Sequence, residues 1–454
     1  MTTKGTQAAP EPSPIGHGPV AQNTCRGSAP AVPDAARVEE VAHLSLLIGR
    51  LLLLNGADTA QVEAAVARFA AAFGCEAHLM VSYEALLLTI VAGEHFRTKI
   101  GSRVPAMNVG MTTVAAVNRL VDDAGRGRCG LAEARALLDA VEHRPPVYGR
   151  WLVVGALALT AASLSRLFGG DWSTFATTWL AGAAGTWLRL ELGRRQVNPV
   201  AIPFAAACVS GLIGAGGVLL AATATPSLCL VAPGMILVPG VPLINGVHDM
   251  IRNHMTLGIS RLGFAGLVTT AIALGLFVAT VATGVTIPVS EPARAIALPQ
   301  DAIFSGLAAL GYAFLFSVPA RLAWACVLCG VASHTTRTLC LHLGVDIIAG
   351  TLIGALLAGF LAQAFARLFA APAAAFVFPG VVAMVPGAYA FRAVLGGLQI
   401  AHGAVDPLLV TATLALGITV ALMVAAIAVG IAVPALLFTP SHLGRSAVFP
   451  HGRS

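Results

Sequence analysis

The chain has 454 residues, of which 57% are hydrophobic and only 11% are charged, and its mean hydropathy is +0.82. This composition lies outside the range of soluble globular proteins and indicates a polytopic membrane protein. The first 150 residues hold 14 of the 21 acidic and 14 of the 27 basic residues, so the net charge of +6 comes from the apolar remainder. Such a distribution reports membrane topology and excludes a nucleic-acid-binding protein.

Residues 1–36 are rich in Pro, Ala, Gly and Ser and contain no apolar core of a secretory signal, so they predict a disordered tail. The eight cysteines are scattered along the chain, which excludes a disulfide-stapled secreted protein.

Residues 37–148 predict a small cytoplasmic α+β domain. Apolar residues at helical spacing from Leu44 to Leu52 predict a first helix, and Asp58 followed by Gln61 is typical of the start of a second one. The period then changes, so that AHLMVSY, ALLLTIV and HFRTKI predict three short strands. Two further helices are predicted near 112–124 and 131–142.

Ten hydrophobic segments follow from Trp151, and most have the roughly 20 residues that a bilayer requires. They predict a polytopic α-helical membrane protein with two five-helix repeats. The repeats occupy 149–288 and 302–438, joined by a linker at 289–301 and followed by a cytoplasmic tail at 439–454. Since five is odd, the second repeat must be inverted relative to the first. With both termini cytoplasmic, nine of the arginines after Trp151 fall on the inner side and four on the outer side.

One apolar stretch, from Val231 to Asp249, cannot form an unbroken helix, because it contains Pro233-Gly234 and Pro239-Gly240. The carbonyl groups freed by proline need partners at bilayer depth, so such a stretch is expected to line a cavity. The same pattern returns from Phe376 to Phe391, at an offset of 147 residues. Two broken segments at corresponding positions indicate a transporter built from a repeat.

The predicted substrate pathway consists of the residues at these two breaks and one nearby amide. Half-helix N-termini attract a carboxylate, and C-terminal carbonyl groups attract an ammonium group or a proton carrier. The alternative is that these residues form structural kinks far from the substrate. The set comprises Pro233, Gly234, Pro239, Gly240, Asn245, Pro379, Gly380, Pro386 and Gly387.

Proton coupling or gating is assigned to charged residues near the segment ends. Asp249, with His248, is the first candidate, because burial would allow an acid to cycle its proton. The alternative is an interfacial carboxylate paired with Arg252 or Arg261. The set comprises Asp249, His248, Arg261, Asp346 and Arg392.

Arg392 would hold a substrate carboxylate or mark an outer helix end, while Asp301 and Asp406 are expected at the interface. No metal site or cofactor is predicted, since the i, i+6 spacing of His248 and His254 puts them on different helix faces.

Taken together, these features resemble the threonine/serine exporter family of ten-span bacterial secondary transporters. The resemblance covers nearly the whole chain after the tail. It rests on the motifs LLLLNGADTAQVE, LVPGVPLINGVHD, GISRLGFAG, PARLAWACVLCG and FPGVVAMVPGAYAF in this order. It implies export of small hydroxy amino acids across the bacterial inner membrane, driven by the proton-motive force. In some relatives the two halves are separate polypeptides, for which dicarboxylates are implied as substrates; here the halves are fused.

Three other functions stay open at this point. The first is export of small dicarboxylates such as succinate, and the second is a passive channel. The third is a membrane-embedded hydrolase that uses polar residues of the N-terminal domain, although no GxSxG or HExxH motif is present. That hydrolase set would be Cys75, His78, Ser82, Glu84 and His95. The expected partners are an amino-acid substrate, protons and the lipid bilayer, and a homo-oligomer is left open.

Overall fold

The structure is a computed structural model that describes residues 35–93, 95–102, 109–220, 223–285, 287–289, 296–403 and 406–438. The predicted N-terminal tail lies outside the described residues except for its last two, which begin the first helix. Residues 290–295 of the predicted linker and the whole predicted C-terminal tail also lie outside them.

The N-terminal domain contains four helices and a three-stranded sheet, and the three predicted strands are confirmed. The strands are antiparallel in the order β1-β2-β3, with Leu79 opposite Leu88 and Leu88 opposite Lys99. The elements are α1 (Ala35–Leu54), α2 (Thr59–Ala72), β1 (Glu76–Val81), β2 (Ala85–Ala92), β3 (His95–Ser102), α3 (Met111–Gly125) and α4 (Leu131–Glu142).

Local sequence explains why these elements form where they do. The Asp58 side chain caps α2 by accepting a hydrogen bond from the Gln61 backbone N–H at 2.8 Å, which satisfies one of the free donors of the first turn. In β2 every second side chain is buried, beginning with Leu86 and Leu88, and these pack on the apolar faces of α1 and α2. The sheet therefore has one face in the core of the domain.

Twelve helices follow the N-terminal domain within the described residues. Those of the first half are α5 (Arg150–Leu167), α6 (Trp172–Arg194), α7 (Ala201–Leu220), α8 (Pro226–Met235), α9 (Gly240–Ile251) and α10 (Met255–Thr283). Those of the second half are α11 (Leu298–Leu315), α12 (Ala323–His342), α13 (Ile347–Phe369), α14 (Ala374–Val381), α15 (Gly387–Ala401) and α16 (Pro407–Phe438). Helix α11 begins inside the predicted linker.

Five of these helices are long and apolar enough to cross a membrane, judged on the described residues alone: α5, α7, α10, α13 and α16. The pair α8–α9 is bent by 60° and the pair α14–α15 by 47°, and counting each pair as one span gives seven. Helices α6, α11 and α12 fall short of this apolar criterion. They are also the helices that carry Arg189, Asp301 and His334.

The two halves repeat the same packing. Helix α5 packs on α6 as α11 does on α12, α7 packs on α10 as α13 does on α16, and α9 packs on α16 as α15 does on α10. The close contacts repeat as well, because a Cβ at Gly182 would lie 2.7 Å from Ala161 Cβ and one at Gly330 would lie 2.4 Å from Ala309 Cβ. Both members of this contact are displaced by 148 positions, which sets the register between α5–α6 and α11–α12.

The N-terminal domain docks on one end of the helical part. The Met111 backbone N–H donates to the Phe316 carbonyl oxygen at 2.9 Å, at the end of α11. The Tyr148 hydroxyl donates to the Val318 carbonyl oxygen at 2.5 Å, and Thr112 donates to the carbonyl oxygen of Ser317. The α11–α12 turn is thus tied to the domain.

Candidate functional site

The two broken segments meet at their breaks. A Cβ at Gly387 would lie 3.0 Å from Val238 Cγ2, and one at Gly240 would lie 3.3 Å from Val385 Cγ2. These contacts are reciprocal, because Val238 and Val385 occupy the same place in the two breaks. The two breaks therefore face each other, and the crossing itself is closed by apolar side chains. We call it the Pro-Gly crossing (residues 238–240 and 385–387).

Side chains of α12 satisfy the carbonyl groups of the second broken segment. Pro379 lies inside α14 and has no N–H to donate to the Ala375 carbonyl oxygen, which instead accepts a hydrogen bond from Cys326 Sγ at 3.3 Å. Ser333 Oγ donates to the Gly380 carbonyl oxygen at 2.9 Å. At bilayer depth such partners replace the water that an unpaired carbonyl would otherwise need.

A cavity of about 770 Å³ reaches the Pro-Gly crossing from the end of the helical part that carries the N-terminal domain. Its walls come from α5, α6, the start of α7, the residues from Ile236 to Pro242, and the end of α11. Of the predicted pathway residues, Pro239 and Gly240 line this cavity. The other seven lie away from its walls: Pro233, Gly234, Asn245, Pro379, Gly380, Pro386 and Gly387.

Three polar side chains in the cavity wall have no hydrogen-bond partner within the described part of the chain. Arg189 on α6 makes no hydrogen bond or ion pair there, and it is close enough to Tyr312 on α11 for an electrostatic interaction. The Thr186 hydroxyl, one turn earlier on α6, is buried and unpaired. A guanidinium group, a phenol and a hydroxyl thus lie in a wall whose other side chains are largely apolar, which is the usual composition of a small-molecule site.

The charges around the cavity are mainly positive. Arg150, Arg189 and Arg194 line it together with one acid, Glu191. Glu191 is shared between Arg150, at 3.9 Å, and Arg195, at 3.1 Å. The cavity therefore suits an anion.

Asp249 and Arg261 form a buried ion pair. The alternative interpretation of the sequence had Arg252 or Arg261 as the partner of an interfacial Asp249, and the role of Asp249 stays a prediction. Their side chains are each 1% exposed, and Arg261 Nη1 donates to Asp249 Oδ2 at 2.6 Å. The same two side chains hold the N-terminal domain: the Thr59 N–H donates to Asp249 Oδ1 at 3.3 Å, and Arg261 Nη2 donates to the Ala57 carbonyl oxygen at 3.4 Å.

Asn245 completes this contact, since its Nδ2 donates to the Gly56 carbonyl oxygen at 3.0 Å. We call the three side chains of Asn245, Asp249 and Arg261 the docking triad. It contacts the loop at residues 55–58, which is the NGAD part of the LLLLNGADTAQVE motif. Asn245 was predicted to line the substrate pathway, and the structure places its amide group on the N-terminal domain.

A titratable pair borders the docking triad. Glu63 on α2 lies 3.7 Å from His254, measured between Oε2 and Nε2. Burial raises the pKa of Glu63 above its ordinary value, and the charge of His254 partly opposes this rise.

The remaining predicted coupling residues lie apart from one another. His248 Nε2 donates to the Ala428 carbonyl oxygen at 2.7 Å and so ties α9 to α16. Asp346 is exposed and caps α13 by accepting hydrogen bonds from the backbone N–H groups of Ile348 and Ala349. Arg392 is half-buried on α15.

A second buried polar network lies between α11 and α12. It contains Asp301, which was expected at the membrane interface. Asp301 Oδ2 lies 2.8 Å from His334 Nδ1, and His334 Nε2 lies 2.5 Å from Arg337 Nη2. The hydroxyl groups of Thr335 and Thr338 donate to the two oxygens of Asp301 at 3.1 and 2.6 Å. The Asp301 carboxylate is fully buried within the protein, and its depth relative to the bilayer stays a prediction.

The residues of the hydrolase alternative do not show an activated nucleophile. Burial raises the pKa of the Cys75 thiol, which disfavours the reactive thiolate. His78 is exposed and pairs with Glu76 at 3.3 Å. Within the described residues no group of three or more His, Cys, Asp and Glu side chains is placed to hold a metal ion.

Sequence reasoning missed Arg189, Tyr312 and His334. Arg189 lies near the end of its predicted membrane segment and was used only to assign the inner side of the membrane. His334 lies in the middle of a predicted membrane segment. An ionisable side chain inside a membrane segment is itself a functional signal, and this signal would have found His334.

The helices, the broken segments and the polar cavity define a multi-pass membrane transporter. A family model described as "Putative threonine/serine exporter" matches residues 43–283, and a model described as "Threonine/Serine exporter, ThrE" matches residues 301–437. The chain therefore belongs to the threonine/serine exporter family and carries both halves in one polypeptide. No enzyme family is indicated.

Several curated proteins are similar to this chain. The "Probable succinate transporter subunit YjjP" of Escherichia coli (strain K12) is 31% identical over 251 residues, which is 53% of this chain and 93% of the relative. The protein of the same name from Klebsiella aerogenes is 28% identical over 54% of this chain and 95% of its own. A "Probable threonine/serine exporter" of Mycobacterium tuberculosis is 25% identical over 80% of this chain and 70% of its own. No solved structure matches.

Proposed function

We propose that this protein is a secondary active transporter that exports threonine and serine across the bacterial inner membrane, driven by the proton-motive force. The observation that carries the proposal is the unpaired Arg189 in a cavity that ends at the Pro-Gly crossing. A binding site at the point where two broken segments meet is the arrangement used by many repeat-built secondary transporters. Membership of the exporter family supports the substrate class.

The proposed topology has ten spans in two inverted repeats. The five apolar helices and the two bent pairs supply seven spans, and α6, α11 and α12 supply the other three. The matched packing of the two halves supports the repeat, and five spans per repeat make it inverted. The excess of arginines on one side favours cytoplasmic termini, which places the N-terminal domain and the cavity mouth on the cytoplasmic side.

In this arrangement the substrate enters from the cytoplasm and binds by its carboxylate. Arg189 offers a bidentate partner, and the N–H groups of the first turn of α9, which begins at Gly240 in the cavity wall, carry the positive end of a helix dipole. Tyr312 and Thr186 are placed to bond the hydroxyl and ammonium groups. Val238 and Val385 close the way onward, so this conformation faces inward.

We assign the docking triad to gating. It fixes the N-terminal domain at the same end as the cavity mouth, and any rocking of α9 and α10 must carry or release the loop at residues 55–58. His248 would transmit the same movement to α16. Asp346 and Arg392, the two other coupling candidates, stay outside this proposal.

A second candidate substrate is a small dicarboxylate such as succinate. The observation that favours it is the excess of arginine around the cavity, where the one acid, Glu191, already has two arginine partners. A zwitterion would have mainly hydroxyl groups, such as those of Tyr312 and Thr186, to accept from its ammonium group, whereas a dianion needs only cations. Two relatives are named succinate transporter subunits.

The proposal is tested by substrate exchange in proteoliposomes at equal pH on both sides. Preloaded vesicles would exchange internal threonine, serine or succinate for the labelled compound, and Arg189→Gln would be compared with Arg195→Gln on the same helix. Because a hydrogen bond to a charged group is worth about 1.5–3 kcal/mol, Arg189→Gln should raise the half-saturating concentration roughly tenfold or more.

The control, Arg195→Gln, should behave like the wild type, since Arg195 is exposed outside the cavity wall. Equal exchange by all three proteins would remove the cavity from the transport pathway. The substrate that exchanges with the lowest half-saturating concentration decides between the amino acid and the dicarboxylate.

A further inference from the structure

The network of Asp301, His334 and Arg337 has defined proton positions. Arg337 can only donate, so His334 Nε2 must accept its hydrogen bond at 2.5 Å. The proton of the neutral imidazole therefore lies on Nδ1 and is donated to Asp301 Oδ2 at 2.8 Å. The chain runs carboxylate, neutral imidazole, guanidinium, and its net charge is zero.

This network is sealed from water and from other charges. Asp301 is 0% exposed, His334 1% and Arg337 7%. The only further titratable group that acts on Arg337 from a packed element, within the described residues, is Tyr389 on α15. Helix α14 contributes no titratable side chain, and α13 approaches Arg337 at Gly350, where a Cβ would lie 3.5 Å from Arg337 Cγ.

The repeat relates Arg337 to Arg189. The two arginines lie 148 positions apart, which is the register that relates the Gly182–Ala161 contact of the first half to the Gly330–Ala309 contact of the second. In the same register His334 corresponds to Thr186, and Asp301 corresponds to Val153, which lines the cavity. The positions that form an open cavity wall in the first half thus form a closed polar network in the second half.

Stability alone gives little reason for such a network. A buried ion pair is often no more stabilising than apolar side chains of the same volume, because desolvation offsets the attraction. Ionisable groups inside membrane segments are costly and commonly mark ion or substrate pathways. Here the three groups occupy positions that in the other half border an open cavity.

We propose that Asp301 and His334 form the binding site for the coupling proton, and that Arg337, released from His334 when the proton binds, becomes the outward-facing partner of the substrate carboxylate. The proposal rests on the proposed function, since it needs a transported carboxylate and a proton gradient. It adds a site between α11 and α12, whereas Arg189 and most of the cavity wall belong to the first half.

Proton binding and substrate binding are coupled because His334 Nε2 has a single lone pair. His334 Nε2 can accept a hydrogen bond from Arg337 or bind a proton, and it cannot do both. A proton from the outer side would convert His334 into an imidazolium ion, which Asp301 stabilises and which repels Arg337. The freed guanidinium group can then take the carboxylate passed on from Arg189. When the carboxylate leaves to the outer side and Arg337 returns, the proton leaves Nε2 toward the cytoplasmic side, so proton entry and substrate export are tied.

The test compares His334→Gln with His342→Gln, an exposed histidine on the same helix. Each protein is measured in two ways: exchange at equal pH over the range from about pH 5.5 to about pH 8, and accumulation driven by an imposed pH gradient. Glutamine keeps a polar side chain but cannot take up a proton. His334→Gln should lose the gradient response by roughly tenfold or more and flatten the pH profile of exchange. His342→Gln should retain both.

A gradient response that survives in His334→Gln would overturn the proposal. If that variant does not give a folded protein, Asp301→Asn takes its place, with a loss of the gradient response expected and an unchanged response overturning the inference. A wild-type exchange rate that does not vary with pH would also contradict it. Failure of the wild type to exchange threonine, serine and succinate would instead refute the proposed function.

Discussion

At the scale of single residues, the buried ionisable side chains in the described part of the chain lie mainly in two places. Asp249 and Arg261 hold the N-terminal domain at one end, and Asp301, His334 and Arg337 form the network between α11 and α12. Each buried charge has a partner, which is the condition for keeping it out of water. Arg189 differs from these groups, because it faces a cavity and has no partner within the described residues.

Breaking the Asp249–Arg261 pair should weaken the protein strongly. Arg261→Gln leaves a carboxylate buried without its cation, and removal of one partner from such a pair costs about 3–5 kcal/mol. We expect a lower midpoint of thermal unfolding in detergent and faster proteolysis between the N-terminal domain and α5. Arg252→Gln, three residues after Asp249 and without an ion pair in the described part of the chain, should stay close to the wild type. Equal midpoints for both variants would contradict the docking role.

The roles of these residues could be predicted from the sequence to different degrees. The pairing of Asp249 with Arg261 was one of two interpretations, since both residues fall near segment ends. The role of Asn245 was not predictable, because its partner, the Gly56 carbonyl oxygen, lies 189 positions away. Arg189 escaped notice because a charge close to a segment end is explained equally well by topology.

At the scale of elements, glycine and proline determine how the helices meet. Proline bends the two broken segments, and glycine lets α7 and α13 approach their neighbours closely. A Cβ at Gly214 would lie 2.3 Å from the Cys229 carbonyl oxygen, and one at Gly354 would lie 2.3 Å from the Ser333 carbonyl oxygen. These contacts are with backbone atoms, which have little freedom to move away.

Gly214→Ala should therefore destabilise the helical part by about 1–3 kcal/mol, the usual cost of overpacking. Gly216→Ala on the same helix is the matched control, because a Cβ there would meet nothing within 4 Å. Alanine also favours a helix over glycine by roughly 1 kcal/mol, so the control should be neutral or slightly stabilising. The measurement is the thermal unfolding midpoint of each variant in detergent. A Gly214→Ala midpoint equal to that of the control would contradict the packing.

Most elements were predictable because their signals are local. The cap at Asp58, the strand at β2 and the breaks at Pro239 and Pro386 depend on neighbouring residues, and the structure shows all of them. What the breaks contact depends on distant residues. The use of Cys326 as a partner for the Ala375 carbonyl oxygen therefore could not be predicted from spacing.

At the scale of the whole molecule, the two halves share their packing but differ in what fills equivalent places. The first half has an open, positively charged cavity that ends at the Pro-Gly crossing. The second has the sealed network of Asp301, His334 and Arg337 at equivalent positions. A transporter that alternates between two inverted repeats needs one side open and the other closed, and this difference supports that proposal.

The most direct test of proton-coupled transport is gradient-driven accumulation by the wild-type chain in proteoliposomes. Labelled threonine and succinate would be followed separately, each at equal concentration on both sides, with and without an imposed pH gradient. A proton-coupled transporter should show saturable accumulation of at least one of them against its own concentration gradient, and this accumulation should collapse when a protonophore removes the pH gradient. Flux that neither saturates nor responds to the pH gradient would contradict it and indicate a passive channel.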